Sequence, residues 1–268
     1  SVSIASSRFF TFLSEKKKIL LVAPDFEVGG GQMLVIRLAN YLAPFHDVYV
    51  YSARPWLSDK NVVNMFSSKV KILDSKGDPK ELEQIIIKEK IEVINSHIWW
   101  SDKLVYKAIK NMSNLKWIIS MHGCYDALVE NEDWDKEFKL LVREILDKSN
   151  DIIYATEKNK KIFNHLNYGN MGKTHKIYYG YELQNLETID KKILNIPEDA
   201  TVFGMVARGI KEKGWREAVE ATILLNKELK QNVHLVLIGE GEIIEQLKKE
   251  TSDIEFIHFV NANKKPFE

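Results

Sequence analysis

Short apolar runs alternate with segments of helical period along most of the chain, the pattern of parallel strands joined by crossover helices. Ile19 to Ala23 is continuously apolar, as a strand buried on both faces requires. The glycine run Gly29-Gly30-Gly31 follows, and then Leu34, Leu38, Tyr41 and Leu42 recur on one helical face. Val48–Tyr51 and Val70–Leu73 read as strands, with a helix marked by Leu82, Ile85 and Ile86 after them. The spacing then predicts a strand over Ile91–Ile94, a helix over Leu104–Ile109 and a strand over Trp117–Ser120. Trp134, Phe138, Leu141, Val142 and Ile145 mark an amphipathic helix, and Asp151–Tyr154 and Ile177–Tyr179 complete the series. After a polar break over 180–200, the alternation restarts. Thr201–Ala207, Val233–Ile238 and Ile254–Phe259 read as strands, Trp215–Leu229 and Ile243–Lys249 as helices. The expected class is therefore α/β: a Rossmann-type parallel-sheet domain over 18–182, a linker over 183–200 and an incomplete second Rossmann-type domain over 201–268. Residues 1–17 stand as an extension or linker before the first domain.

Composition narrows the function classes. The 268 residues are 45% hydrophobic and 28% charged, with 38 basic and 38 acidic side chains. This balance argues against a chain that blankets nucleic acid with positive charge. The single cysteine, Cys124, cannot form an internal disulfide, which points to a reducing compartment, and the expected location is cytoplasmic. The longest apolar runs fall far short of the ~20 residues of a spanning helix, and Ser1–Leu13 lacks the build of a secretion signal.

Candidate chemistry gathers in loops that follow strands. Gly29-Gly30-Gly31 stands between a strand and a helix start, where free N–H groups and the helix dipole favour an anion; a plain tight turn accounts for it equally well. Arg208 lies at the carboxyl end of a strand, the edge where open α/β sheets place ligands. Lys213 precedes a helix, where a cation opposes the dipole. An anion held by both would explain the pair, since a forked guanidinium and a point-charge ammonium suit a diphosphate; a solvated charged loop is the competing reading. Gly239-Glu240-Gly241 is a further turn of the same kind. His97 and His122 each follow a strand, and imidazoles there could hydrogen-bond a substrate or shuttle a proton; Gly123 leaves room beside His122. Ile98-Trp99-Trp100 reads as packing rather than as a sugar platform. Gly172-Lys173-Thr174 lacks the first glycine of a phosphate loop, which would be Asn167, and Asp133-Trp134-Asp135 opens a helix whose dipole its acids complement.

In register, these loops resemble the retaining, nucleotide-sugar-dependent glycosyltransferases of family 4, which have the GT-B fold. The likeness runs from about Lys18 to Val260. It rests chiefly on Val206-Ala207-Arg208 through Glu212-Lys213-Gly214 and on Leu237-Ile238-Gly239-Glu240-Gly241. Gly29-Gly30-Gly31-Gln32, Asn95-Ser96-His97, Met121-His122-Gly123 and Ile153-Tyr154-Ala155-Thr156-Glu157 fall in the expected order. The resemblance implies transfer of a sugar from a nucleotide-diphosphate donor to a saccharide or lipid-linked acceptor, in bacterial surface polysaccharide or glycolipid synthesis. It implies no cofactor and no metal, and, for a lipid-linked acceptor, peripheral contact at an inner membrane face.

Carried onto this chain, the resemblance gives Arg208, Lys213, Gly30 and Gly31 to the donor diphosphate and His122 to the transferred sugar as the catalytic position. Gly239, Glu240 and Val260 fall to a nucleotide-side loop. The sequence departs from the pattern at Ala207, where a glycine is usual, and at His258 for the same reason. It ends before the family's Glu-x7-Glu element, so the expectation is an acceptor-side domain with half of a donor domain. Two other readings stay open: a non-catalytic binding module of the same fold, and a sugar-nucleotide epimerase.

Overall fold

The computed structural model describes residues 15–123, 136–180 and 191–260. Cys124, the Asp133–Asp135 pair, Phe9–Leu13 and the residues after Val260 lie outside them. The chain divides into two compact units, Ser1–Tyr181 and Glu182–Glu268.

In the first unit the elements run β1 (Lys18–Ala23), α1 (Gly30–Leu42), β2 (Asp47–Ser52), α2 (Lys60–Val63), β3 (Lys71–Ile72), α3 (Pro79–Glu89), β4 (Val93–His97), α4 (Ile98–Ile109), β5 (Lys116–Met121), α5 (Lys136–Lys148), β6 (Asp151–Tyr154), α6 (Lys161–His165) and β7 (Thr174–Lys176). The strands form one parallel sheet in the order β3-β2-β1-β4-β5-β6-β7. Its two faces bury alternate residues of the same strands. Leu20, Val22, Tyr49 and Tyr51 join one core, and Ile19, Leu21, Val48 and Val50 join the other. Strands covered on both faces have no solvent side, which is why β1 and β2 read as near-continuous apolar runs.

Four departures from the sequence reading have local causes. Helix α1 buries Met33, Val35, Ile36 and Ala39, whereas Tyr41 is exposed. Apolar residues occupy so much of its circumference that periodicity alone does not select the inner face. Strand β4 starts later than expected and runs on through Asn95, Ser96 and His97. Those polar side chains are tolerated inside because they are partnered: Asn95 Nδ2 donates to Ser120 Oγ (2.9 Å) and to the Ile118 carbonyl (3.0 Å). The seventh strand is Thr174–Lys176, not Ile177–Tyr179. As an edge strand it accepts polar residues, and His175 and Lys176 reach Asp151 (2.9 Å) and Glu157 (2.7 Å). The final strand begins at Ile257, with Ile254 in the turn before it.

The second unit contains β8 (Thr201–Val206), α7 (Trp215–Lys227), β9 (Val233–Ile238), α8 (Glu242–Glu250) and β10 (Ile257–Val260), with parallel order β10-β9-β8. Trp215, Val219, Leu235, Leu237, Ile244 and Leu247 make its core. On the other face Ile196 and Ala200, in the stretch read as linker, pack against Val236. Val206 and Phe203 of β8 are exposed.

Candidate active site

In the first unit, β1 delivers the chain to Pro24 and Asp25, and the glycine run then starts α1 with no side-chain cap. A Cβ on Gly30 would meet no atom within 4 Å, so the space at the helix start is open. Gly31 is different: its Cβ would stand 3.0 Å from Ile98 Cδ1 and 3.7 Å from His122 Nδ1. The fold thus brings Gly31 and His122, predicted separately, side by side. Ile98 has φ +68°, a left-handed conformation that a β-branched residue adopts only under strain.

His122 follows β5 and is 8% exposed. Its Nε2 lies 3.1 Å from Nδ1 of the buried His97, and its Nδ1 lies 3.0 Å from the Tyr179 hydroxyl. Burial pushes His122 down to about 4, and burial with the neighbouring His122 holds His97 well below the usual imidazole range. Both rings are therefore neutral at pH 7. The three groups form a hydrogen-bonded chain with two consistent proton arrangements. In one, Tyr179 donates to His122 and His122 to His97; in the other, His97 donates to His122 and His122 to Tyr179, while the hydroxyl donates to the Met121 carbonyl at 3.3 Å. In either case His97 Nε2 is buried without a partner. His122 can bond a substrate only by releasing one neighbour, and Tyr179, 46% exposed, is the one with a way out.

Sequence reasoning passed over Tyr179, whose apolar neighbours suggested a strand, and Asp25. Asp25 is 1% exposed and accepts from Gln32 Nε2 (2.7 Å) and Arg54 Nη2 (2.5 Å). The available signal was a carboxylate directly after a buried strand.

In the second unit, the loops after β8 and β9 clasp one another. Gly209 N–H donates to the Glu240 carbonyl (2.7 Å), and Cβ atoms on Gly209 or Gly241 would overlap the opposite backbone. Trp215, fully buried, donates from Nε1 to the Arg208 carbonyl (2.7 Å). Arg208 and Lys213 are both exposed, and a 3-10 turn over Lys211–Lys213 ends in Gly214 at φ +76°. The structure therefore joins Arg208, Gly239 and Glu240 in one loop cluster, with Lys213 on the segment leading out of it. Val260 is not in a loop: it is the last residue of β10, paired with Ile238 and packed toward Ile196, Ala200 and Val236. Among the described residues no three His, Cys, Asp or Glu side chains come together as a metal site, and no helix is long and apolar enough to cross a membrane.

Comparison with known proteins follows this division. Residues 28–185 match the family model described as Glycosyltransferase Family 4, and residues 187–266 match Glycosyl transferases group 1. A curated relative, an uncharacterized glycosyltransferase of Methanocaldococcus jannaschii, is 33% identical over 133 residues, 48% of this chain and 34% of the relative. The match thus spans about a third of that relative's length. Among solved structures, Anabaena HepE in complex with UDP and glucose has TM-score 0.69 at 14% identity, covering 91% of this chain and 69% of that one. A glycosyltransferase from Rickettsia africae has TM-score 0.68 at 16% identity, covering 93% and 69%. At such identities the likeness is one of fold, and it places the two α/β units in the GT-B class.

Proposed function

From the premise that this chain belongs to Glycosyltransferase Family 4, we propose that it moves a glycosyl group from a nucleotide-diphosphate sugar to a saccharide or lipid-linked acceptor, with retention of anomeric configuration. The observation that carries the reading is the pair of consecutive glycosyltransferase matches, over 28–185 and 187–266, which meet close to the boundary between the two units. Surface polysaccharide or glycolipid synthesis is the process we assign to it.

In the second unit, Arg208 and Lys213 are exposed cations beside a clasped strand-end loop. We give them the departing diphosphate, whose developing charge preorganised cations stabilise by several kcal/mol. Gly239 and Glu240 shape that cluster on the nucleotide side. Val260 contributes as part of the strand behind it. In the first unit, the open helix start at Gly30 and the close packing at Gly31 let backbone N–H groups approach an anion. His122, neutral and held by His97 and Tyr179, would face the transferred sugar as a hydrogen-bonding group. No metal enters this scheme.

The test is a thermal unfolding series with UDP, the nucleotide bound to HepE. At about a hundredfold excess over Kd, a specific ligand stabilises by ~3 kcal/mol. We expect that gain in the parent chain and its loss in Arg208→Ala. An equal shift in both would remove Arg208 from the donor site. Product analysis with nucleotide sugar, with and without acceptor, then separates transfer from release of free sugar.

A further inference from the structure

A pocket of about 350 Å³ opens in the first unit beside the carboxyl ends of β2 and β4, within the roughly 300–1,000 Å³ span of small-molecule sites. Its floor is fixed. Gly77, at φ +69°, lies directly against the Ala53 carbonyl, and its N–H donates to the Tyr51 hydroxyl at 3.1 Å. Tyr51 in turn donates to Glu81 (2.9 Å), which also accepts the Lys76 N–H (2.8 Å). Two indoles line the opening, Trp56 at 70% and Trp100 at 47% exposure, an unusual outlay of large apolar surface on a polar rim.

The charge at this pocket has one sign. Arg54, Lys103 and Lys107 line it, and among the described residues no acidic side chain does. Arg54 is met by the buried Asp25, but Lys103 and Lys107 have no acidic partner among the described residues. They stand four residues apart on α4, where like charges repel. The Lys103 ammonium lies 4.6 Å and the Arg54 guanidinium 5.5 Å from the centre of the Trp100 ring. With two cations already over it, that indole is poorly disposed to stack a flat base, whereas its rim can still pack on the C–H face of a sugar ring.

We propose that this pocket binds an acidic sugar residue of the acceptor, its ring against Trp56 and Trp100 and its carboxylate or phosphate on Lys103 and Lys107. The inference rests on the reading of the first unit as the acceptor side of a glycosyltransferase. The step it serves is binding alone, so its test is a binding measurement on the full chain. Glucuronate, glucose 6-phosphate, glucose and inorganic phosphate are titrated separately, followed by saturation-transfer NMR. At least one of the two acidic sugars should bind at least tenfold more tightly than glucose and than inorganic phosphate, and the better of them tells which acid the lysines meet. Raising salt should weaken it. Lys103→Gln with Lys107→Gln should weaken it about tenfold, as should Trp100→Ala, while Lys88→Gln, an exposed lysine on α3, should not. Equal affinity for glucose, equal affinity for inorganic phosphate, no binding of either acidic sugar, unchanged binding in the double variant, or displacement of the sugar by UDP would each overturn the proposal. A chain that binds acidic sugars yet transfers nothing would overturn the transferase reading and leave the pocket standing.

Discussion

His122 shows how much one residue's surroundings add to its identity. A histidine after a strand could be read from sequence; that both its nitrogens are occupied could not, because His97 and Tyr179 come from 25 and 57 positions away. The consequence is measurable. Its folded pKa, about 4, lies below the ordinary value near 6.5, so in that interval the unfolded chain binds the proton and the folded chain does not. The stabilising contribution of a neutral, buried His122 is therefore complete above pH 6.5 and is lost as pH drops toward 4, by on the order of 3 kcal/mol. His97 acts in the same direction. We expect denaturant titrations of His122→Gln to show a flatter loss between pH 6.5 and 4 than the parent. Parallel curves would mean the ring is far less buried than described.

Among elements, the clasp between the loops after β8 and β9 is the most demanding. A Cβ on Gly239 would run into the Ala207 carbonyl and stand 3.0 Å from Ile244 Cδ1 and 3.1 Å from Trp215 Cζ2. The first of these is backbone and the last a fully buried indole, so neither gives way easily. Gly239→Ala is expected to cost on the order of 3 kcal/mol in a chemical denaturation curve. Gly30→Ala, where the space is open, should change stability by less than about 1 kcal/mol. The alternation of strand and helix was legible because doubly covered strands must be apolar throughout; Val233–Ile238 was placed to the residue. What escaped were ends and edges. Polar Asn95, Ser96 and His97 are stabilised by tertiary partners, and Thr174–Lys176 belongs to an edge strand. Asp102 is another such case: it is fully buried and pushed up to about 8 by that burial, and it accepts from Ser96 at 2.5 Å. No periodicity announces such a group.

For the molecule as a whole, the α/β class was legible in the sequence, since it depends on pattern rather than on particular contacts. The candidate residues were legible only as loops at strand ends. Which of them meet depends on the strand order β3-β2-β1-β4-β5-β6-β7, which sets β1 beside β4 and so Gly31 beside Ile98 and His122. The first unit has a separate core on each face of its sheet, built from its own residues. Residues 1–181 expressed alone should therefore unfold cooperatively in a circular-dichroism melt. A broad, non-cooperative melt would show that the unit is not self-sufficient.

Ile98 carries a last consequence, one for laboratory evolution. A left-handed backbone on a β-branched residue costs about 1–3 kcal/mol, and glycine or asparagine at that position would relieve it. A library of this chain selected only for survival at high temperature should therefore enrich Ile98→Gly or Ile98→Asn early. Each of these changes removes the side chain that packs on Gly31 beside His122. Heat selection should thus open the space between Gly31 and His122 as it relaxes the backbone, and sequencing the survivors of successive rounds would show whether it does.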